Sequence, residues 1–255
     1  MAALEDDTGR SVVVPRSVRR VVSLVPSLTE TIAVTAPGLL VGATDWCTHP
    51  GDLTADRVGG TKNPTVAAIA DLHPDVVVAN EEENRQVDLD ALRARGIAVW
   101  VTAPTSVPEA LTSLTRMLHA LGLGVPDWLR AAGEVWSGAQ PVVRHRAVVP
   151  IWRRPWMALG RETFAGDVLS RIGVANVLAD HADRYPRIDL AALPAHDLVV
   201  LPDEPYAFSA TDGPEAFPQV PAALVSGRHL TWYGPSLVEA HAVLTAQLAA
   251  ATTAR

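Results

Sequence analysis

The fold is indicated most strongly by Leu72–Arg85, LHPDVVVANEEENR. Residues 76–79 form an uninterrupted apolar run that ends abruptly at Asn80 and three glutamates. A strand without polar alternation is buried on both faces, which is typical of a parallel sheet covered by helices. Ligands of such sheets bind beyond the carboxyl ends of the strands. We therefore predict a buried strand that delivers Asn80 and Glu81 to a ligand-binding edge.

The surrounding sequence alternates between strand and helix patterns. Apolar runs predict further strands at RVVSLVP (20–26), LLVGAT (39–44) and IAVWVT (97–102). SLTETIAVTAPG (27–38) predicts a helix, with Ser27 and Glu30 in the spacing of a capping box. VDLDALRARG (87–96) predicts another that Gly96 closes. Strands alternating with helices predict an α/β unit.

The second half of the chain repeats this order. RAVVPIW (146–152), HDLVVLPD (196–203) and AALVS (222–226) follow their first-half counterparts by about 122 to 126 positions. Helices are predicted at FAGDVLSRIG (164–173) and GPSLVEAHAVLTAQLAA (234–250). The constant offset predicts two similar α/β lobes in tandem; a chance match is the alternative.

A helical segment separates the two lobes. Residues 107–140 have helical spacing that is interrupted at Gly122, Gly124 and Pro126, so they form one long helix or two successive helices. The predicted domains are an N-terminal α/β lobe at 1–106, an interlobe helix at 107–140 and a C-terminal α/β lobe at 141–255.

Composition excludes several classes of protein. An apolar share of 48% with 19% charged residues indicates a globular chain, and a net charge of -7 argues against nucleic acid as the main partner. No window approaches a membrane span. The N-terminus is acidic before it is basic and has no apolar core of a signal peptide, so we expect a cytoplasmic protein. A native start upstream of Met1 would instead allow export.

Catalytic and metal motifs are missing from the sequence. Nucleophile-elbow, phosphate-loop, dinucleotide and zinc-protease patterns do not occur. A single cysteine excludes an internal disulfide and a thiolate zinc cage. Asp45, Cys47 and His49 lie within five residues, but we favour a loop that buries Cys47 as a small apolar residue and leaves His49 a weak metal candidate. The glutamates after Asn80 indicate ligand or structural contact rather than acid–base catalysis.

Aromatic residues suggest what is bound. The chain has seven Trp but only three Phe and three Tyr. Several of them follow predicted strands, which favours a large flat ligand over core packing, the usual role of tryptophan. The predicted ligand-binding residues are Trp46, Thr61, Lys62, Asn80, Glu81, Trp152, Trp156, Trp232 and Tyr233.

Nearly the whole chain resembles a known family. RVVSLVPSLTE, VGATDWCTHP, VGGTKNPTVAAIADLHPDVVVANEEENR and MALGRETFAGDVLSRIGVANVLAD are similar to class III periplasmic binding proteins, also called helical backbone metal receptors. The resemblance is nearest to the substrate-binding proteins of cobalamin and ferric-siderophore importers. It implies two Rossmann-like lobes joined by a long rigid helix. It also implies a small-molecule metal chelate, such as cobalamin, haem or a ferric siderophore, bound between the lobes without an intrinsic cofactor.

Two features depart from that family. Its members are exported, whereas no export signal is recognised here. They also dock on a permease through one glutamate on each lobe, and the matching positions here hold Ala67 and Asp189, counting from His196 in the second lobe. We therefore expect no productive docking on a permease.

Three functions remain open from the sequence. The leading one is a cytoplasmic binding protein for a corrinoid, tetrapyrrole or similar chelate. The second is an enzyme on the same scaffold that acts on such a ligand through His49 or the glutamates. The third is an exported transporter subunit whose start lies upstream. The lack of a clustered acid, base and nucleophile favours binding over catalysis.

Overall fold

The structure is a computed structural model that describes residues 2–251 and divides into two units. Unit 1 consists of residues 2–104, 109–130 and 233–235, and unit 2 of residues 105–108, 131–232 and 236–251. Both units therefore take residues from the middle segment, and the predicted domain boundaries stay a prediction.

Unit 1 is built around a parallel sheet. Its elements are β1 (Ala2–Glu5), β2 (Ser11–Val14), β3 (Val21–Ser23), α1 (Pro26–Thr35), β4 (Leu40–Ala43), β5 (Asp56–Arg57), α2 (Val66–Asp71), β6 (Val76–Asn80), α3 (Gln86–Arg93) and β7 (Val99–Thr102). The parallel sheet has the order β5-β4-β3-β6-β7, while β1 and β2 form an antiparallel pair. Every residue of β6 is buried, so the strand predicted from the uninterrupted apolar run is confirmed.

The middle segment forms two successive helices, α4 (Val107–Ala120) and α5 (Asp127–Val135). The first ends because Gly122 adopts a left-handed φ of 76°. The amide of Leu123 then donates to the carbonyl of Leu118 at 2.8 Å, which closes the helix end in a Schellman arrangement. Of the two alternatives open from the sequence, the structure has the interrupted one.

Unit 2 contains a second parallel sheet. Its remaining elements are β8 (His145–Val148), β9 (Pro150–Arg153), β10 (Trp156–Ala158), α6 (Phe164–Arg171), β11 (Val174–Asn176), β12 (Leu198–Pro202), β13 (Ala222–Val225), α7 (Gly227–Thr231) and α8 (Leu237–Ala249). The sheet has the order β11-β8-β12-β13, and β9 pairs antiparallel with β10. The tandem arrangement of parallel α/β sheets predicted from the repeat is confirmed.

An aspartate at the same place ties each sheet together. Asp75, just before β6, accepts hydrogen bonds from the amides of Arg19 and Arg20 at 2.7 and 2.9 Å. Asp197, just before β12, accepts one from the amide of Arg146 at 3.1 Å. The entry of the central strand is thus fastened to the neighbouring strand by the same device in both units.

Two local predictions are wrong. The capping box at Ser27 and Glu30 does not form, because α1 already begins at Pro26 with Val25 as the N-cap and no side-chain cap. The strand predicted over 146–152 is split into β8 and β9. Pro150 has no amide to donate to a central ladder, and the chain leaves the parallel sheet there.

Membrane insertion is not indicated by the helices. Among residues 2–251, none of the helices combines the length and hydropathy that a crossing requires.

Candidate functional site

The carboxyl end of β6 carries a dense polar network centred on Asn80. The Asn80 side chain is 5% exposed. Its Oδ1 accepts hydrogen bonds from the amides of Glu82 and Glu83 at 2.9 and 3.1 Å. Its Nδ2 donates to the carbonyl of Thr102 at 3.0 Å. Asn80 thereby folds the residues that follow it into a tight turn, which we call the acidic turn (residues 81–84).

Asn84 closes the acidic turn from its other end. Its Oδ1 accepts a hydrogen bond from the amide of Asn80 at 2.9 Å. Its Nδ2 donates to the carbonyls of Leu24 and Thr61 at 3.3 and 3.0 Å. Since Leu24 follows β3, the turn is fastened both to a neighbouring strand and to the loop that contains Thr61.

The other predicted residues of this edge lie beside the turn. Glu81 is exposed, and its amide donates to the carbonyl of Thr102 at 2.9 Å. Lys62 is exposed, and its ammonium group donates to the carbonyl of Glu82. Thr61 is 9% exposed and contributes its backbone carbonyl to Asn84. The structure therefore brings Thr61, Lys62, Asn80 and Glu81 together at one strand edge.

Tyr233 belongs to unit 1 and is buried, with 4% of its surface exposed. Its Oη lies 2.8 Å from Asn80 Nδ2 and 2.9 Å from Thr102 Oγ1. Burial raises the pKa of the Tyr233 phenol, which stays protonated as a result. The structure shows Tyr233 hydrogen-bonded within this polar network, and its contact with a ligand stays a prediction.

Trp46 is the aromatic residue that unit 1 leaves open, with 69% of its surface exposed. It follows β4, and the amide of Asp45 beside it donates to the carbonyl of Gly59 at 2.9 Å. Gly60 lies under the indole, because a Cβ there would sit 3.7 Å from Trp46 Nε1. The indole is thus mostly exposed, which suits contact with a flat ligand.

Cys47 and His49 do not form a metal site with Asp45. The Cys47 thiol is fully buried between the hydroxyls of Thr29 and Thr44, at 3.0 and 3.1 Å. Asp45 is exposed, in contrast to that thiol. Within residues 2–251, no three His, Cys, Asp or Glu side chains gather as a metal ion would require. The packing role preferred for Cys47 is the one that the structure shows.

In unit 2 the β9–β10 hairpin carries two tryptophans in different surroundings. Trp152 is 43% exposed and meets Tyr206 edge-on, with ring centroids 5.6 Å apart. Trp156 stacks on Phe208 at 6.0 Å and contacts Phe217 edge-on at 5.6 Å. Trp152 is exposed, whereas Trp156 packs against the core of unit 2.

Charged residues hold the loop that carries these rings. Arg153 pairs with both Asp212 and Glu215, and its guanidinium lies 5.4 Å from the centre of the Trp156 ring. The Tyr206 hydroxyl donates to Asp212 at 2.7 Å. Sequence analysis missed this cluster because its members are about 60 residues apart and no short motif joins them.

Trp232 is also buried, with 6% of its surface exposed. Its Nε1 donates to Glu204 Oε2 at 3.0 Å. Burial raises the pKa of the Glu204 carboxyl, and the hydrogen bond from Trp232 opposes that rise. The neighbouring Asp203 accepts a hydrogen bond from the amide of Gly227 at 2.6 Å, so the break after β12 is fastened to α7.

The nine predicted residues thus fall into two groups. Trp46, Thr61, Lys62, Asn80, Glu81 and Tyr233 lie in unit 1, and Trp152, Trp156 and Trp232 lie in unit 2. The expectation that both groups contact one ligand stays a prediction.

Comparison with known proteins finds relatives by sequence and by fold. No family model matches the chain. A vitamin B12-binding protein of Yersinia pestis (strain Pestoides F) is 25% identical over 183 residues, which cover 68% of this chain and 65% of that protein. The match therefore spans somewhat less than two thirds of that relative.

Solved structures share the fold. The periplasmic vitamin B12-binding protein of Vibrio cholerae superimposes with a TM-score of 0.70 at 19% identity, covering 92% of this chain and 98% of that one. The periplasmic heme-binding protein of Roseiflexus, in its apo form, gives a TM-score of 0.69 at 18% identity, covering 91% and 100%. The resemblance to class III periplasmic binding proteins and the two-lobed α/β fold are confirmed. The names of these relatives describe binding proteins and not enzymes.

Proposed function

We propose that this chain is a binding protein for a flat metal chelate of the corrinoid or tetrapyrrole type. The observation that carries the proposal is the pair of exposed indoles beyond parallel strands, Trp46 at 69% and Trp152 at 43% exposure. Both indoles are already exposed, so a ligand can contact them without any side chain having to move away first. The names of the relatives, which include vitamin B12 and heme, support the same class of ligand.

Among these ligands we favour a corrinoid. The edge of unit 1 exposes three carboxylates, Asp45, Glu81 and Glu82, beside two cations, Lys62 and Arg57. Carboxylates repel the propionates of a haem but accept hydrogen bonds from the peripheral amides of a corrinoid. A ferric siderophore is the third ligand class, and the aromatic faces favour it less than a planar macrocycle.

The test is an absorbance titration of the purified protein with cyanocobalamin, hemin and a ferric siderophore. We expect saturable binding of cyanocobalamin, and we expect Trp46→Ala and Trp152→Ala each to weaken it by about 1–3 kcal/mol. Val142→Ala is the matched control, since Val142 is 85% exposed and lies outside the proposed site. The proposal would be refuted if none of the three ligands bound. It would also be refuted if both tryptophan variants bound cyanocobalamin as tightly as the unmodified protein does.

Three buried or half-buried residues remain proposed members of the site: Trp156, Trp232 and Tyr233. Their side chains pack or form hydrogen bonds inside their own units, so we propose that they support the strand edges that contact the ligand. His49 lies next to the exposed end of the Trp46 loop, where its Nδ1 is 3.1 Å from Thr48 Oγ1. Nothing in this arrangement favours an enzymatic role for His49 or the glutamates.

We also propose that the chain does not dock productively on a permease of the cobalamin type. Ala67 is exposed on α2 but carries no charge. Asp189 is exposed, and its Oδ1 already caps the amide of Ala191 at 3.0 Å. Losing one partner of an interfacial charge pair costs about 2–5 kcal/mol, which is enough to abolish a weak contact.

The docking proposal is tested in a transport assay with a cobalamin permease, in which an exported form is compared with an Ala67→Glu, Asp189→Glu variant. We expect transport only with the variant. Transport by the unmodified protein would contradict us. The cytoplasmic location expected from the N-terminus has no support among the relatives, of which two structures are described as periplasmic.

A further inference from the structure

We propose that Tyr233 is a positioning residue, which fixes the amide of Asn80 and through it the acidic turn at the ligand-binding edge of unit 1. The inference rests on the proposed function, because that turn belongs to the proposed ligand-binding edge. Nothing in the sequence marks Tyr233 for this role, since its partners lie 153 and 131 residues away in the chain.

The hydrogen bonds around Tyr233 run in one direction. Thr102 Oγ1 donates its proton to the carbonyl of Ala79 at 3.0 Å. It must therefore accept from Tyr233 Oη, which lies 2.9 Å away. Tyr233 Oη in turn accepts from Asn80 Nδ2 at 2.8 Å. The chain runs from Asn80 through Tyr233 and Thr102 to the backbone of β6, and each hydroxyl both gives and receives a proton.

This direction fixes the orientation of the Asn80 amide. The amides of Glu82 and Glu83 can only donate, so they require the Oδ1 of Asn80 on their side. The carbonyl of Thr102 and the hydroxyl of Tyr233 then receive the two Nδ2 protons. Without the Tyr233 hydroxyl, one of these protons would be buried with no acceptor, which weakens the amide's hold on the turn.

The backbone next to Tyr233 is built to keep the phenol in place. A Cβ on Gly234 would lie 2.9 Å from Thr31 Oγ1 and 3.1 Å from the carbonyl of Ser27. Glycine therefore lets the segment Tyr233–Pro235 lie directly on α1. The buried phenol also stays protonated, as the donor role towards Thr102 requires.

The test begins without ligand, by measuring residue-resolved amide hydrogen exchange in Tyr233→Phe. We expect the amides of Glu82 and Glu83 to exchange about 10-fold faster, the factor set by one unsatisfied buried donor. The core amides of Val77 and Val99 should keep their rates, which a merely structural loss of stability would not allow. Tyr185→Phe is the matched control, and we expect it to leave all four rates unchanged.

The second arm measures the affinity for cyanocobalamin, which should fall by a similar factor in Tyr233→Phe and not in Tyr185→Phe. If Tyr233→Phe does not fold, Thr102→Val removes the acceptor of the same hydroxyl and should speed exchange at Glu82 and Glu83. Unchanged exchange at the turn, or faster exchange with unchanged affinity, overturns the positioning role. If the unmodified protein binds no cyanocobalamin, the proposed function fails, and the exchange arm alone decides whether Tyr233 holds the turn.

Discussion

The two units begin their central strands in the same way and end them differently. Asp75 and Asp197 each accept amides from the neighbouring strand, at 2.7 and 3.1 Å. Beyond the strands, unit 1 builds a network of asparagine amides around Asn80, whereas unit 2 builds a stack of rings around Trp156. The strand entry has one structural task, so both units keep it. Ligands of parallel α/β sheets generally bind beyond the strand exits, and the two units differ there.

The largest expected effect is a difference in stability between tryptophan variants at the two edges. Trp156→Ala should lower the free energy of unfolding by about 2–4 kcal/mol, because the ring packs on Phe208 and Phe217. Trp46→Ala should change it by less than about 0.5 kcal/mol, since that indole is 69% exposed. Urea unfolding followed by circular dichroism measures both. Equal losses would mean that the two edges are built alike after all.

The shared strand entry is tested by paired aspartate variants. Asp75→Ala should cost about 1 kcal/mol, because Oδ2 accepts two amides at 2.7 and 2.9 Å. Asp197→Ala should cost less, since it holds one amide at 3.1 Å and His145 Nδ1 at 3.3 Å. Asp52→Ala, at an exposed loop position, serves as the control for loss of an aspartate. A larger loss from Asp197→Ala would break the proposed equivalence.

The smallest effect concerns the pH dependence of unit 2. Burial raises the pKa of Glu204 above its value in the unfolded chain, so the folded state binds that proton more tightly. Stability should fall as pH rises from the unfolded pKa to the folded one, and the penalty persists above it. Glu204→Gln keeps an acceptor for Trp232 and removes the charge. We expect it to stabilise the protein by about 0.5 kcal/mol at pH 7, with no gain at pH 3.

Glu239→Gln should change stability at pH 7 in the opposite direction to Glu204→Gln. The hydrogen bond from His229 lowers the pKa of Glu239, so its stabilising contribution is present at neutral pH and lost as pH falls through the folded pKa. This variant should therefore lose more stability at pH 7 than at pH 3, in thermal unfolding curves recorded at the two pH values. A loss of stability at pH 7 in Glu204→Gln as well would show that burial does not control the Glu204 carboxyl.

The sheets were predictable from the sequence because their signal is local. A parallel strand buried on both faces is apolar over most of its length, and β6 and β12 are buried throughout. A local pattern can also mislead, as the Ser-x-x-Glu spacing of the capping box shows. The helix begins earlier, at Pro26, and both Ser27 and Glu30 are buried within it.

The candidate site was less predictable because its contacts are not local. A high tryptophan content indicated an aromatic role but could not separate the exposed Trp46 from Trp232, whose partner Glu204 is 28 residues away. Asn84 escaped notice because its partners Leu24 and Thr61 are 60 and 23 residues away. Whether a polar residue at a strand end meets ligand or backbone depends on the tertiary structure.

Chemical modification of the single cysteine can measure local opening of the folded protein. Cys47 is fully buried, and burial raises the pKa of its thiol, so the folded protein offers neither access nor thiolate to an alkylating reagent. Labelling must wait until the loop after β4 separates from α1. Since Trp46 precedes Cys47 directly, the rate of thiol modification measures how often the loop that carries Trp46 opens, without any introduced probe.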